Sequence, residues 1–494
     1  MSGSAAFPDP VYKATVLAPL FDGVKAHFAA HMAQINKAHL VMLAETGILA
    51  ADETAALAKA LEQIEQEVDV PSLIYTGEHE DYFFLVESEL AKRLGDLGGM
   101  LHTARSRNDM DHTVFKMALR DRADHLLGQA LILADTLLSK AKQERDTLIV
   151  AYTHGQPAQP STFGHYLGAM IEGLIRDLDR LDAAIENLEK CPMGAAAITT
   201  SGFAIDRGRV AELLGFKGPL LNSYGCIASV DYVTGLYSAI KLLFIHLGRV
   251  IQDMAFWSSF EVGQLLVPDS LVQISSIMPQ KRNPVPIEHL RHLASATAGR
   301  CDMVVNTMHN TPFTDMNDSE GEVQQAGYAA FDSGGRVLEL LTAFLPSCSI
   351  DADRVKRNSE AACITITELA DTLVRREDLP FRQAHAIAAA TAKAVIADGK
   401  PLADGFAAFS ATFDGETGKP SGLSQTDFAE AVSPESFVSR RDRPGGPAPA
   451  ALEAAFAEYA GALSRRWSEQ STRLARRAEA GAKLAAAFNA LIKE

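Results

Sequence analysis

Cysteine is scarce and poorly placed for cross-linking. The five residues Cys191, Cys226, Cys301, Cys348 and Cys363 are scattered, odd in number and never form a C-x-x-C pair. Neither a disulfide framework nor a zinc site is suggested, and a reducing compartment fits. Positive charge is also in deficit: 46 Lys and Arg face 62 Asp and Glu, a formal net charge of -16. That balance argues against a nucleic-acid partner or an anionic membrane, so any bound anion must be captured by a local cluster of basic groups. No stretch approaches the ~18 uncharged apolar residues of a membrane span. The start, Met1 to Ala6, has neither the basic residues nor the apolar core of a signal peptide. The expectation is a soluble, cytoplasmic protein with no membrane partner. At 494 residues, 47% apolar and 22% charged, the chain can bury a large core divided between two or three domains.

Proline is missing from long stretches: Asp109–Gln156, Ser161–Lys190, Leu220–Val267, Ile287–Thr311 and Phe313–Leu345. Within the first, Leu126, Ala130, Leu133 and Leu137 follow the helical period. Five such runs predict an all-α protein built on an elongated helical bundle. Residues 1–108 read as shorter helices, one of them starting at Asp52-Glu53-Thr54-Ala55 with an acidic first turn. The expected units are an N-terminal helical domain at 1–108, the central bundle at 109–350 and a C-terminal helical domain at 351–494. In the last, Trp467, Leu474, Ala478, Ala485, Phe488 and Ile492 trace a stripe for core or subunit contact.

The chemistry sits at the joints between these runs. His102-Thr103-Ala104-Arg105-Ser106-Arg107-Asn108-Asp109 combines two arginines, two hydroxyls and an amide just before a long helix. Free N–H groups there favour anions, and each arginine can hold a carboxylate bidentately. Tyr152-Thr153-His154-Gly155-Gln156-Pro157 places a histidine between a hydroxyl and a glycine turn. Residues 192–197 are too small and apolar for chemistry and should form a close-packed connection. Prolines at 268, 279, 284 and 286 make 268–286 a loop, which carries Ser275, Ser276, Met278, Lys281 and Asn283 and leads to Glu288. Residues 309–320, ending in Asp315-Met316-Asn317-Asp318-Ser319-Glu320, form either a capped helix start or a pocket wall facing a cation. His79 can act as ligand or base, but among three acids it fits a solvated turn. His289 and His292 lack a partner of matching spacing, so no metal is expected.

These joints resemble the motifs of the fumarase/aspartase superfamily, and of its argininosuccinate lyase-like members in particular. HTARSRND at 102–109 is similar to the family's HTGRSRND, and THGQPAQP at 153–160 to its THLQPAQP. SSIMPQKRNP at 275–284 is similar to its signature loop, LPFRQAH at 379–385 to its MPFRQAH, and GGPAP at 445–449 to its GGTAP. The resemblance covers about residues 20 to 460. It implies the three-domain superfamily fold, a homotetrameric core and active sites shared by three subunits. It also implies a small-molecule dicarboxylate substrate and a carbon-nitrogen lyase reaction that releases fumarate through an aci-carboxylate, without cofactor or metal. Ser275 would be the base, Lys281 and Asn283 the clamp on the carboxylate taking up charge, and Arg107, Asn108 and Thr153 further carboxylate binders. Ser106, Ser276 and Met278 would line the same site. His154, oriented by Glu288, would protonate the leaving nitrogen or organise its surroundings.

The departures are informative. Ile274 replaces the family's glycine before the serine pair, Met110 replaces a glutamine, and the tract at 222–231 loses an acid and an arginine. Against the family's STYNKDLQEDK, residues 313–323 put Asp315 for tyrosine, Asn317 for lysine, Glu320 for glutamine and Val323 for the last lysine. The fumarate half is kept and the amine half rewritten. This implies a lyase for another N-substituted aspartate, of the ethylenediamine disuccinate lyase kind, with Asp315 and Glu320 as an acidic wall. The alternatives are a true argininosuccinate lyase of arginine biosynthesis, a silent structural protein on the same scaffold, and a fumarase-like hydratase.

Overall fold

The computed structural model describes residues 7–493. Five long helices form its centre: α1 (Arg107–Gln143), α2 (Phe163–Glu186), α3 (Asp231–Trp257), α4 (Val285–Thr307) and α5 (Glu322–Ser347). Their buried faces, including Leu126, Leu133, Leu178, Leu236, Leu290 and Leu338, join one continuous core. Close approach is built in: a Cβ at Gly334 would meet the Phe244 ring at 2.7 Å, so α3 and α5 pack at a distance that a side chain there would forbid. Among the described residues α3 is the one helix long and apolar enough to cross a membrane. It is the middle of this bundle, with Leu236, Ile240, Leu243 and Leu247 buried.

Proline-free runs overstate the helices at three places. Leu220–Val267 contains only Ser223–Ala228 and α3, because the chain extends at Ser229 before turning into Asp231. The Phe313 run becomes helical only at Glu322, after Gly321 at φ 55°; before it, three residues from Asn317 make one 3-10 turn. Between α1 and α2 lies an antiparallel hairpin, β1 (Leu148–Thr153) and β2 (Gln156–Thr162). Gln264 pins its base, its amide bonding the Val150 N–H at 3.1 Å and carbonyl at 3.2 Å.

The N-terminal helices Ala29–Glu45, Ala51–Glu67 and Tyr82–Leu94 share the bundle's core. The second starts where its acids suggest, Glu53 accepting the Ala50 N–H at 2.8 Å. A separate small core around Leu369, Phe409, Phe413 and Phe428 belongs to the C-terminal region. The closing helix α6 (Pro449–Lys493) leaves that core and lies along the bundle. We therefore propose that the expected unit 351–494 divides, with α6 belonging to the bundle. The stripe on α6 is also rephased: Phe488 is buried, but Leu474 is exposed. The inward face is set instead by Arg473, whose guanidinium reaches Asp124 at 2.8 Å and Asp182 at 2.9 Å.

Candidate active site

The start of α1 is built by local capping. Ser106 accepts the Asn108 N–H at 3.4 Å and Asp109 accepts the Ser106 N–H at 2.9 Å, a reciprocal box. The second Asp109 oxygen accepts the N–H groups of Gly194 at 2.8 Å and Ala196 at 2.9 Å. The small, apolar joint at 192–197 is thus stapled to the helix start, and Asn108 completes it by donating to the Ala197 carbonyl at 3.0 Å. Ser106, expected among the substrate ligands, has a structural task here.

The two arginines of the motif part company. Arg105 is buried, donates to Asn36 at 2.7 Å and lies 3.9 Å from Glu87. Burial lowers its pKa to about 10. It holds the N-terminal helices rather than a substrate. Arg107 is half-exposed and already paired, with Asp81 at 2.7 Å and Glu80 at 3.2 Å. The turn at 77–81, expected to be merely solvated, supplies the partners of a motif arginine. Its His79 makes no hydrogen bond or ion pair among those described.

Three further acids come to the same place. Asp315 and Glu320 enter from the 313–321 loop, and Asp111 stands one turn beyond Arg107 on α1. Burial and the Asp315 carboxylate raise Glu320 to about 7. Burial, then Glu320 and Asp81, push Asp111 well above the ordinary carboxylate range, against Arg107. Burial also raises Asp315. Asp111 was not among the expected site residues. Its spacing from Arg107, four along one helix, was the available signal.

The other two motifs form exposed hairpin tips. Thr153, His154 and Gly155 form the tip of the hairpin, with Thr153 paired to Gln156. His154 at φ 55° and Gly155 at φ 73° make a two-residue turn of the primed type. Asn, Asp or Gly would suit that position best, and histidine is among the side chains that tolerate it. The signature loop is stemmed by β3 (Gln273–Ile274) and β4 (Arg282–Asn283), an antiparallel pair. Asn283 donates to the Gln273 carbonyl at 3.1 Å, and Arg282 binds Asp269 and the Val267 carbonyl. At the tip the Met278 N–H donates to Ser275 Oγ at 3.1 Å. Ser276, Met278 and Lys281 are exposed, as is Glu288 in the first turn of α4. No ion pair joins His154 to Glu288 among the described residues, so their expected pairing is not made within one chain.

Comparison with known proteins decides the family. A lyase family model matches residues 22–299, and the argininosuccinate lyase C-terminal model matches residues 363–439. The chain is 58% identical to argininosuccinate lyase 2 of Agrobacterium fabrum over 99% of its length and 98% of the relative's. It is 33% identical to the argininosuccinate lyase of Methanothrix thermoacetophila over 84% of each. The chain is an argininosuccinate lyase-like member of the fumarase/aspartase superfamily. Among solved structures, a variant of EDDS lyase with bound fumarate overlays with a TM-score of 0.85 at 27% identity, covering 98% of this chain and 96% of that one. A fumarate lyase from Mesorhizobium sp. BNC1 shares the fold at a TM-score of 0.67. The all-α superfamily fold expected of this lyase is the one observed.

Proposed function

We propose that this carbon-nitrogen lyase releases fumarate from an N-substituted aspartate whose leaving amine is positively charged. The observation that carries the reading is the convergence of Asp315 and Glu320 on Arg107, beside Asn108. A wall of carboxylates favours a cation and repels a second acidic amino acid as leaving group.

In the reaction, Ser275 removes the proton from the carbon next to the succinyl carboxylate. The electron pair moves to that carboxylate, and the aci-carboxylate then expels the nitrogen with the C–N pair as the double bond forms. The N–H from Met278 supports an ionised Ser275 Oγ, and Lys281 with the second amide hydrogen of Asn283 holds the developing charge. Arg107, Asn108 and Thr153 bind the remaining carboxylate, Ser276 and Met278 line the loop, and His154 serves the departing nitrogen with Glu288 as its orienting partner.

Among the described residues no hydrogen bond or ion pair joins these three groups, around Ser275, His154 and Arg107, within one chain, and the reading includes a homotetramer with shared sites. In its favour, Leu242, Ile245 and Met303 are exposed on the bundle. Of these, Ile245 lines a groove of about 820 Å³ between α2, α3 and α4, whose wall also carries Arg176, Asp177, Arg180 and Arg291.

The second reading, argininosuccinate itself, is favoured by the name of the 58% identical relative. Fumarate absorbance separates them. Wild type and Ser275→Ala are given fumarate with arginine, diamines or simple amino acids. Ser275-dependent loss of fumarate with amines other than arginine supports the proposal; loss with arginine alone restores argininosuccinate. If Asp315→Asn leaves every amine's rate unchanged, the acidic wall is wrong.

A further inference from the structure

The hairpin that carries His154 at its tip has a cavity at its base. About 970 Å³ lie between β1, β2, the helix Ala352–Ala361 and the C-terminal region around Val432 and Val438. The floor is apolar: Ile149, Val355, Ile364, Leu402, Val432 and Val438 are all buried. These side chains belong to different cores, Ile149 to the bundle, Val355 and Ile364 to a small cluster with Val150, and Leu402 and Val432 to the C-terminal core. The cavity is the seam where those cores meet, and it has the size of a ligand pocket. Thr365, on its wall, opens the helix Ile366–Glu377, where a threonine ordinarily turns its oxygen back onto a free backbone N–H. Here the backbone is already helical, at φ -93° and ψ 0°, and no such bond forms. The Thr365 side chain makes no other hydrogen bond among the described residues, although the residue is only 4% exposed. A buried hydroxyl of this kind calls for a partner in the cavity. At the mouth, Asp353, Glu360 and Glu435 stand against one lysine, Lys356. Glu435 accepts from Ser433 at 2.7 Å, and none of the four forms an ion pair among the described residues. Asp146, also on the wall, is already paired with Arg145 at 3.2 Å.

We propose that this cavity is a binding site for an elongated molecule with an apolar body, a hydrogen-bonding group at its inner end and an ammonium at its outer end. The body supplies the packing that the three cores leave undone between them. The inner group meets the Thr365 hydroxyl, and the ammonium lies among Asp353, Glu360 and Glu435. A carboxylate at the outer end would face three acids across one lysine and is disfavoured. Leu148, Pro160 and Thr162 also line the cavity, so an occupant bears directly on both strands at the base of the hairpin. It steadies the element that runs out to His154. Nothing in this assignment depends on which amine the lyase releases.

The test is titration calorimetry on the full-length protein in fumarate-free buffer, with aminohexanol, an amine and a hydroxyl at opposite ends of a hexamethylene chain, as probe. Three relatives each change one feature: hexylamine lacks the hydroxyl, hexanediol lacks the charge, and hydroxyhexanoate reverses it. Expected is one site per chain, with hexylamine and hexanediol each about fivefold weaker than aminohexanol and hydroxyhexanoate weaker still. Thr365→Val should level aminohexanol with hexylamine. The double variant Glu360→Gln, Glu435→Gln should level aminohexanol with hexanediol. Ala403→Trp sets a ring at the mouth from an exposed position on the wall and should abolish binding. Hydrogen exchange of the amides between 148 and 162 should slow when the probe is bound. No saturable binding, equal affinity for all four probes, binding that survives Ala403→Trp, or unchanged exchange in the hairpin each overturns the proposal. Should Ala403→Trp not fold, the two levelling variants decide: preferences that persist in both overturn it. None of these results bears on the lyase reading, which stands or falls on Ser275-dependent loss of fumarate.

Discussion

The signature loop and the Arg107 pocket are held in opposite ways. At the loop tip, Ser276, Met278 and Lys281 face outwards, and Ser275 has one hydrogen bond, from a residue three along. Around Arg107, by contrast, residues from the 77–81 turn, α1 and the 313–321 loop converge, and burial shifts three carboxylates upward. On the proposed reading the loop is completed by other chains, and it can be exposed and simply tethered. A group that selects a leaving group must be fixed within its own chain.

Several measurements bear on that contrast. Ser275→Ala should reduce kcat by roughly a thousandfold or more, the scale of losing a positioned base. Because the side chain is tethered only at the tip, the thermal midpoint should barely move; a large drop in the melt would mean the loop is not the loosely held region described. Asp109→Ala should do the reverse. It strips three backbone N–H groups of their acceptor and should cost about 3 kcal/mol in urea unfolding, from unsatisfied buried donors. An unfolding midpoint like wild type's would show that the 192–197 joint is not stapled this way. His154→Asn should lose about a hundredfold in kcat while the fold is unharmed or slightly firmer, since Asn suits a positive φ. Loss of activity and stability together would make His154 a turn residue only.

The smallest effect expected is a pH step. Glu320 is raised to about 7, so it ionises, and can bind an ammonium, only as pH rises through that value. The KM for a cationic amine should fall severalfold between pH 6 and 8, and Glu320→Gln should remove the step. The sign for stability is opposite. A carboxyl raised in the folded state binds its proton more tightly there, so its contribution is lost as pH rises from the ordinary range through about 7. The melting temperature of Glu320→Gln should therefore gain on wild type towards alkaline pH.

The bundle was legible because proline-free runs and helical periods are local properties. Their ends were not. Nothing in composition marks 313–321 as loop except Gly321 and the crowd of acids before it. The hairpin at 148–162 hid inside runs taken for helix and connection, since its strands are set by cross-chain pairing and the Gln264 anchor rather than by alternation. The joints themselves stood out as motifs. Yet the partners of Arg107 came from Glu80 and Asp81, which lie 27 and 26 residues away, and Asp111 gains meaning only from Glu320 and Asp315 across the pocket. Arg105 and Ser106 show the converse: side chains with every appearance of ligands that the fold had already engaged.

The pairing of Arg107 with Glu80 and Asp81 has a kinetic consequence. On the proposed reading, a substrate carboxylate arriving there does not meet a bare cation; it swaps places with two resident anions. Binding is then a metathesis, gaining little net Coulomb energy, with two displaced carboxylates ready to recapture the arginine. Such a site trades tight holding for rapid release of fumarate, and its affinity should respond weakly to added salt because one ion pair is exchanged for another.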